Sequence, residues 1–478
     1  MADEPNDAHS RPLDKARHLK YWTRCLRSPL PHHYTPNDSN RIALAYFILS
    51  AIDLLHLSDP NSENDPKVRD STLRLTPAER HRFRTWILSC QHAGGGFCGS
   101  PSMTLPSHSY GGWSFEDSKP TMGNPGQANI AATVFALILL ALLADDETEA
   151  CSAYSGVDRW KTLRWLRRLQ RPDGSFGEIL EEVEGKGLVI GGGKDMRYCY
   201  LAAMLRWMLR GDIQPGEPGW VEDIDVEGLV RYIGRSQTYD HGIAESSEHE
   251  PHSGYAYCAI SALSLLDRPL DGGQHPHAAL KTALPDMSSV VQWLVSRQFP
   301  YTDPEDPDNS EDEALQQTFT TLTISEPGNP VAFNGRCNKA ADTCYCWWVC
   351  GALSVLPPLQ PDGDNVATII PRPEARRFIL EKVQHIIGGF SKHPGGPPDL
   401  YHSYLGLAAL ATMGEPSLKE FDAALAVTSE TAKKLVAART GLISRTKKAG
   451  QPEGLGGKLL DMGVQVAGGK RPAWLEAL

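Results

Sequence analysis

Trp165-Leu166-Arg167-Arg168-Leu169-Gln170, followed closely by Asp173-Gly174-Ser175-Phe176-Gly177, is the stretch that decides the fold. It reads as an apolar helix ending near a glutamine, then a glycine turn with an aromatic beside it. A second helix, rich in small and apolar residues, opens near Asp195. The form recurs. Trp86-Ile87-Leu88-Ser89-Cys90-Gln91 leads into Gly94-Gly95-Gly96-Phe97, Gln237 and Gln298 end two more such helices, and Ile387-Gly388-Gly389-Phe390 carries the turn of a fifth. Glycine permits the positive-φ geometry of such a turn, and the aromatic can plug the gap between neighbouring hairpins.

The second helices open near Gln127, Asp195, His252, Asp342 and Asp399, and the intervals Asp195 to His252 and Asp342 to Asp399 are equal, at 57 residues. The longer interval between His252 and Asp342 holds an acidic, proline-bearing insertion, about 301–330, which reads as a loop. Helical hairpins repeated at such a period predict a solenoid or a closed toroid. Strand signals are poor throughout, so the fold class is all-α. The ends depart from the pattern: residues 1–17 read as disordered, 18–415 as the repeat domain, and 416–478 as a helical, then glycine-rich tail that packs loosely.

Composition narrows the function. A net charge of -11 and a pI near 5.8 argue against a general nucleic-acid binder. Ten cysteines without a secreted-domain framework, and an acidic, polar start, read as reduced thiols in the cytoplasm without a signal peptide. The apolar run from Ile130 to Ala144 is too short for a membrane span and fits a buried helix.

Chemistry concentrates in Gly335-Arg336-Cys337-Asn338-Lys339-Ala340-Ala341-Asp342-Thr343-Cys344-Tyr345, with Tyr401-His402 one repeat later. Asp342, Cys344 and His402 form a plausible three-ligand set for zinc with one position open, the catalytic pattern for this metal. Taken singly, each has an ordinary reading: Asp342 as a helix N-cap, Cys344 as a small buried hydrophobe, His402 as a structural histidine. If successive inner helices start at one end of a toroid, the three converge on its rim. Arg336 and Lys339 precede the pair, Tyr345 follows it, and His252 opens the preceding inner helix. Helix N-termini and such cations suit an anionic leaving group, so the pattern reads as a zinc enzyme acting on a phosphate ester. Tyr46, Phe47, Tyr200, Tyr255, Trp347 and Trp348 lie on or near inner helices. They read either as plain core or as the lining of a cavity for a long hydrocarbon.

The segments 335–345, Asp195-Met196-Arg197 and the one around His402 give the chain, from about His18 to Met413, a strong resemblance to the β subunits of the protein prenyltransferases. That resemblance implies a six-hairpin α/α barrel, an obligate helical-repeat α subunit and one catalytic Zn²⁺. It implies Asp342, Cys344 and His402 as zinc ligands and His252, Arg336, Lys339 and Tyr345 as diphosphate-binding residues. Arg197 falls at a lipid and peptide site, and Ala43, Tyr46, Phe47, Tyr200, Tyr255, Trp348 and Tyr401 at the lipid and peptide pocket.

Two positions choose among the family's branches. Ala43 falls where the farnesyl enzyme has a bulky Trp flooring the lipid pocket, and a small residue leaves room for another isoprene unit. Lys392 falls where the farnesyl and Rab branches have an Asp that helps hold Mg²⁺, so Mg²⁺ is not expected to be required. Both point to geranylgeranyltransferase type I, acting with geranylgeranyl diphosphate on C-a-a-X proteins, often ending in Leu, such as Rho-type small GTPases. Tyr401 resembles the farnesyl branch instead, and Val134 replaces an aromatic expected in the lipid wall. A farnesyltransferase β subunit is therefore the first alternative, and a non-catalytic toroid that binds lipid or protein the second. Neither nucleic acid nor stable membrane insertion is expected.

Overall fold

The computed structural model describes residues 11–56, 75–101, 127–183, 187–269, 275–303, 329–360 and 365–449. Its main helices are α1 (Lys15–Arg27), α2 (Arg41–Leu55), α3 (Pro77–Ser89), α4 (Ile130–Leu142), α5 (Arg159–Arg168), α6 (Met196–Leu209), α7 (Val226–Arg235), α8 (Ser253–Asp267), α9 (Met287–Val295), α10 (Thr343–Val355), α11 (Arg372–Arg377), α12 (Leu400–Thr412) and α13 (Ser429–Ala449). Two kinds alternate. α4, with the sequence IAATVFALILLAL, is apolar on every side and buried along most of its length. Such a helix belongs inside. α5 and α7 carry an apolar stripe opposite a charged face, so they belong outside.

The inner helices α2, α4, α6, α8, α10 and α12 pack side by side in that order, and α12 returns to α2. The ring is closed, an α/α toroid of helical hairpins. Each inner helix from α4 on is capped by its own preceding side chain: Asn129, Asp195, His252, Asp342 and Asp399 each accept a backbone N–H of the first turn. These helix starts gather at one end, so that end collects the unsatisfied backbone donors of several helices.

The repeated turn has a fixed stitch. Gln91 bridges Phe97, Gln170 bridges Phe176, Gln237 bridges Ile243 and Gln384 bridges Phe390. In the fifth hairpin Gln298 pairs with Phe333 instead, within the strand pair β5 (Gln298–Pro300) and β6 (Val331–Phe333). The acidic insertion is thus one repeat's turn pulled open between two paired residues; its central part, 304–328, lies outside the described residues. Gly174 (φ +94°) shows why the turn needs glycine, because a Cβ there would stand 2.1 Å from the Gly228 carbonyl of α7. Gly388 (φ +90°) makes the same approach to Arg17 of α1, joining the last hairpin to the first.

Two expectations are corrected. Helix α1 begins at Lys15, inside the segment expected to be disordered, because Asp14 caps it and His18 is fully buried against the last turn. His18 contacts Gln384 Oε1 at 3.0 Å through Nε2 and accepts the Gly389 N–H through Nδ1. Residues 416–449, placed outside the repeat domain, pack onto it and include the expected helical stretch, while the glycine-rich tail expected to pack loosely lies outside the described residues. The hairpin β7 (Phe421–Asp422) and β8 (Val427–Thr428) reaches between the inner helices, and α13 buries Leu435 and Ala438 against α4 and α6. As the poor strand signals led one to expect, strands occur only in short pieces, the largest being the sheet β1 (Phe97–Cys98), β2 (Ala128–Asn129), β3 (Ile179–Val183) and β4 (Gly187–Gly191). They are turn stitches widened to ladders and leave the helical architecture unchanged. No helix among the described residues is long and apolar enough to cross a membrane.

Candidate active site

The rim formed by the inner-helix starts brings Asp342, Cys344 and His402 together. One ligand atom from each lies within 4.8 Å of the other two. Asp342 caps α10 by accepting the Cys344 N–H at 2.8 Å, which turns the carboxylate and thiol toward the same side. His402 comes from the next inner helix, α12, with Nε2 3.2 Å from Asp342 Oδ1. Asp342 and Cys344 are buried and His402 is half-buried.

Charge explains the arrangement. Burial and the neighbouring Asp342 carboxylate push the Cys344 thiol well above its ordinary range. Burial alone would raise Asp342, but hydrogen bonds from His402 and Cys344 reverse that and lower it. Burial also works against a charged His402. Its hydrogen bonds to Asp342 and Asp399 prevail and lift it to about 9. A site that holds a proton between two carboxylates and keeps a thiol from ionising is one that a divalent cation would relax. The donor set also fits zinc, which takes thiolate, imidazole and carboxylate ligands, and Asp342, Cys344 and His402 would hold it. Asp399 completes the fit. It accepts from His402 Nδ1 at 2.6 Å, leaving Nε2 free to ligate. Sequence reasoning saw Asp399 only as the start of a helix; its spacing of three residues before His402 was the available signal.

Around the triad the expected anion-binding residues fall into two sets. His252 and Tyr345 are in contact, His252 Nε2 to Tyr345 Oη at 3.2 Å. His252 Nδ1 accepts the Gly254 N–H, so Nε2 carries the ring proton of the neutral form. Burial, with Arg336 adding, lowers His252 to about 4. Burial, with Cys344 adding, raises Tyr345 to about 12, which keeps its phenol a donor. Lys392 sits 3.7 Å from Asp342 Oδ2 at the cluster's edge. Lys339 is exposed, and Arg336 forms an ion pair at 2.8 Å with Glu250, a partner the sequence reading did not identify. Arg197 is held beside its own N-cap by Asp195 at 2.6 Å.

The expected pocket aromatics also divide. Phe47 stands edge-on to Tyr401 at 5.8 Å, and Tyr401 is edge-on to His402 at 5.0 Å, giving an apolar path to the triad. Ala43 is half-buried one turn before Phe47 on the same face of α2. Trp348 packs on Tyr257 at 5.1 Å, and Tyr255 faces His252 at 5.1 Å while its hydroxyl donates to Glu245. Tyr46 and Tyr200 differ. Their hydroxyls donate to the Ala426 and Ala424 carbonyls of the β7–β8 tip, at 2.7 and 2.9 Å. Tyr257 and Tyr404, which the sequence reading left out, do the same to Ala423 and Ala426 at 2.7 and 2.6 Å.

Comparison with known proteins agrees with this architecture. The model of the prenyltransferase alpha-alpha toroid domain matches residues 13–427. The chain is 28% identical over 406 residues to the geranylgeranyl transferase type-1 subunit beta of Arabidopsis thaliana, covering 85% of this chain and 86% of that one. It is 25% identical to the Dictyostelium discoideum protein of the same name, covering 85% and 93%. The protein farnesyltransferase subunit beta of Schizosaccharomyces pombe is 26% identical, covering 85% and 80%. Among solved structures, the Candida albicans protein geranylgeranyltransferase-I complexed with GGPP matches with a TM-score of 0.66 at 24% identity, over 89% of this chain and 98% of that one. The chain belongs to the prenyltransferase α/α-toroid family, and the relatives it resembles include β subunits of geranylgeranyl transferase type-1 and of protein farnesyltransferase.

Proposed function

We propose that this chain is the β subunit of a zinc-dependent protein geranylgeranyltransferase type I. It would work with an α subunit to transfer a geranylgeranyl group to the cysteine of a C-a-a-X protein. The observation that carries this reading is the Asp342, Cys344 and His402 cluster with Lys392 at its edge. The names of the two type-1 relatives support the twenty-carbon lipid.

Zinc held by Asp342, Cys344 and His402 would keep the acceptor cysteine as its nucleophilic thiolate at neutral pH. The new S–C bond forms at C1 of the prenyl chain as the C–O bond to diphosphate breaks. His252 and Tyr345 present neutral donors to the departing oxygens, and Arg336, Lys339 and Lys392 supply positive charge. Because these groups are in place beforehand, they stabilise charge that grows only in the transition state. Lys392 occupies the space where a second cation would otherwise be drawn to Asp342. Phe47, Tyr401 and the small Ala43 would guide the hydrocarbon.

Tyr401 favours a second reading, a farnesyltransferase β subunit. Its ring faces the triad, and farnesyltransferase β subunits are also among the relatives. One experiment separates the two. The chain co-purified with its α subunit receives both prenyl diphosphates and a C-a-a-Leu peptide, with and without Mg²⁺, and the product is weighed. A twenty-carbon adduct is expected. A fifteen-carbon adduct that requires Mg²⁺ would overturn the type I reading.

A further inference from the structure

Arg297, two residues beyond α9, is a buried cation with no anion beside it among the described residues. Its side chain is 5% exposed, and its Nε and Nη1 have no acceptor. Nη2 donates to Ser296 Oγ at 3.1 Å and to Cys337 Sγ at 3.1 Å, and the guanidinium lies over the Trp293 ring. No carboxylate pairs with it among the described residues. Leaving a buried guanidinium uncompensated is costly, and among the described residues the Cys337 sulfur is the one partner it touches that can take negative charge. Cys337 is nevertheless exposed, on a turn where Asn338 adopts φ +57°. The sulfur therefore has water on one side and a fixed cation on the other.

We propose that Cys337 is a thiol–disulfide exchange site for glutathione-class disulfides, and that its modification closes the diphosphate seat. The Cys337 thiol gives its proton to water, and the sulfur attacks one sulfur of the disulfide. The new S–S bond forms as the old one breaks, and the released glutathione thiolate takes a proton from solvent. Arg297 stabilises the negative charge on the attacking sulfur. The added tripeptide brings two carboxylates next to Arg336 and Lys339, the cations flanking Cys337 in the chain. This second half rests on the diphosphate roles given to those residues under the proposed function.

The test uses the metal-loaded heterodimer and glutathione disulfide at neutral pH, with mixed disulfides mapped by mass over time. Cys151 is the internal reference. It is the other exposed cysteine among the described residues; its sulfur donates to the Glu147 carbonyl, and the nearby Arg445 binds its backbone carbonyl rather than its sulfur. With each rate divided by that in the unfolded chain, Cys337 is expected to react about tenfold faster than Cys151 or more. Arg297→Gln should remove most of the difference and Arg297→Lys restore part of it. Equal rates in the folded wild type would overturn the exchange site, whether or not the Arg297 variants fold. Inorganic diphosphate then reads the coupling. Its affinity should fall about tenfold on modification, return on reduction, and stay unresponsive to glutathione disulfide in Cys337→Ser. Fast modification with unchanged diphosphate affinity would keep the exchange site and overturn the seat beside Arg336 and Lys339.

Discussion

The two ends of the toroid are built by the same six inner helices and satisfy their polar groups in opposite ways. At the end where those helices start, Asp342, Cys344 and His402 hold charges and protons in balance against one another, and Lys339 and Lys392 stand exposed. At depth, the phenols of Tyr46, Tyr200, Tyr257 and Tyr404 each donate to a carbonyl of the 423–426 tip. Below that, Asp53 accepts from Lys419, Thr428 and Thr431 at 2.8, 2.6 and 2.8 Å. On the reading proposed above, one end is completed by a metal ion and an anionic ligand. The other is completed by the chain itself. Neutral hydrogen bonds suit a permanent seal, whereas a rim that exchanges ligands needs groups whose charge depends on what is bound.

The strongest way to break this contrast is Cys344→Ala. Metal content should fall from about one ion to none, and transfer should drop more than ~100-fold, beyond the effect of losing a mere supporting partner. The plug should remain, with the far-UV signal unchanged. A variant that keeps its metal would dissolve the distinction between the ends.

Acidity sharpens it. His402, lifted to about 9 by Asp342 and Asp399 against burial, carries a proton in the metal-free chain that the metal must displace. Zinc affinity, measured by competition with a chelator, should therefore weaken about tenfold or more per unit as pH falls below 9. The metal-free fold responds with the opposite sign. Because its folded value lies above the ordinary 6.5, the His402 contribution is complete below 6.5 and disappears as pH rises through about 9. The thermal shift on zinc addition should thus grow steadily with pH across this window. A flat response would remove His402 from the ligand set.

The smallest effect belongs to the seal. Tyr257→Phe removes the donor to Ala423 and leaves that carbonyl without its phenol, at a cost of about 1–3 kcal/mol in urea unfolding. Metal content should not change. Unaltered stability would mean that the tip is held by its flanks, chiefly Asp422 with Arg268, rather than by the phenols.

The repeat was legible because its signal is local: in four hairpins a glutamine, a glycine turn and a large apolar residue fall at the same offset. The triad was legible for a related reason. N-cap positions set the register, so residues at helix starts in adjacent repeats had to meet. The segment 416–449 was misread because its partners are remote. Asp422 finds Arg268, and Lys434 finds the Ala144 carbonyl at 2.9 Å, and nothing in the local pattern announces either. Asp14 was missed for the same reason, since its backbone meets Gln384 at the far end of the domain. Tyr46 and Tyr200 were placed on the correct helices, but their hydroxyls are committed to a hairpin that the sequence reading did not foresee.

The contact of Arg17 and His18 with the 384–389 turn has a consequence for how the molecule comes apart. In an open stack of helical hairpins the outermost repeat has one neighbour and unzips first. In a hoop no repeat is outermost. Releasing any hairpin breaks two interfaces at once, so opening is an all-or-nothing event rather than a progressive fraying. Synthesis meets the same condition in reverse: α1 leaves the ribosome first and waits for its neighbour until some of the last residues of the domain have been made.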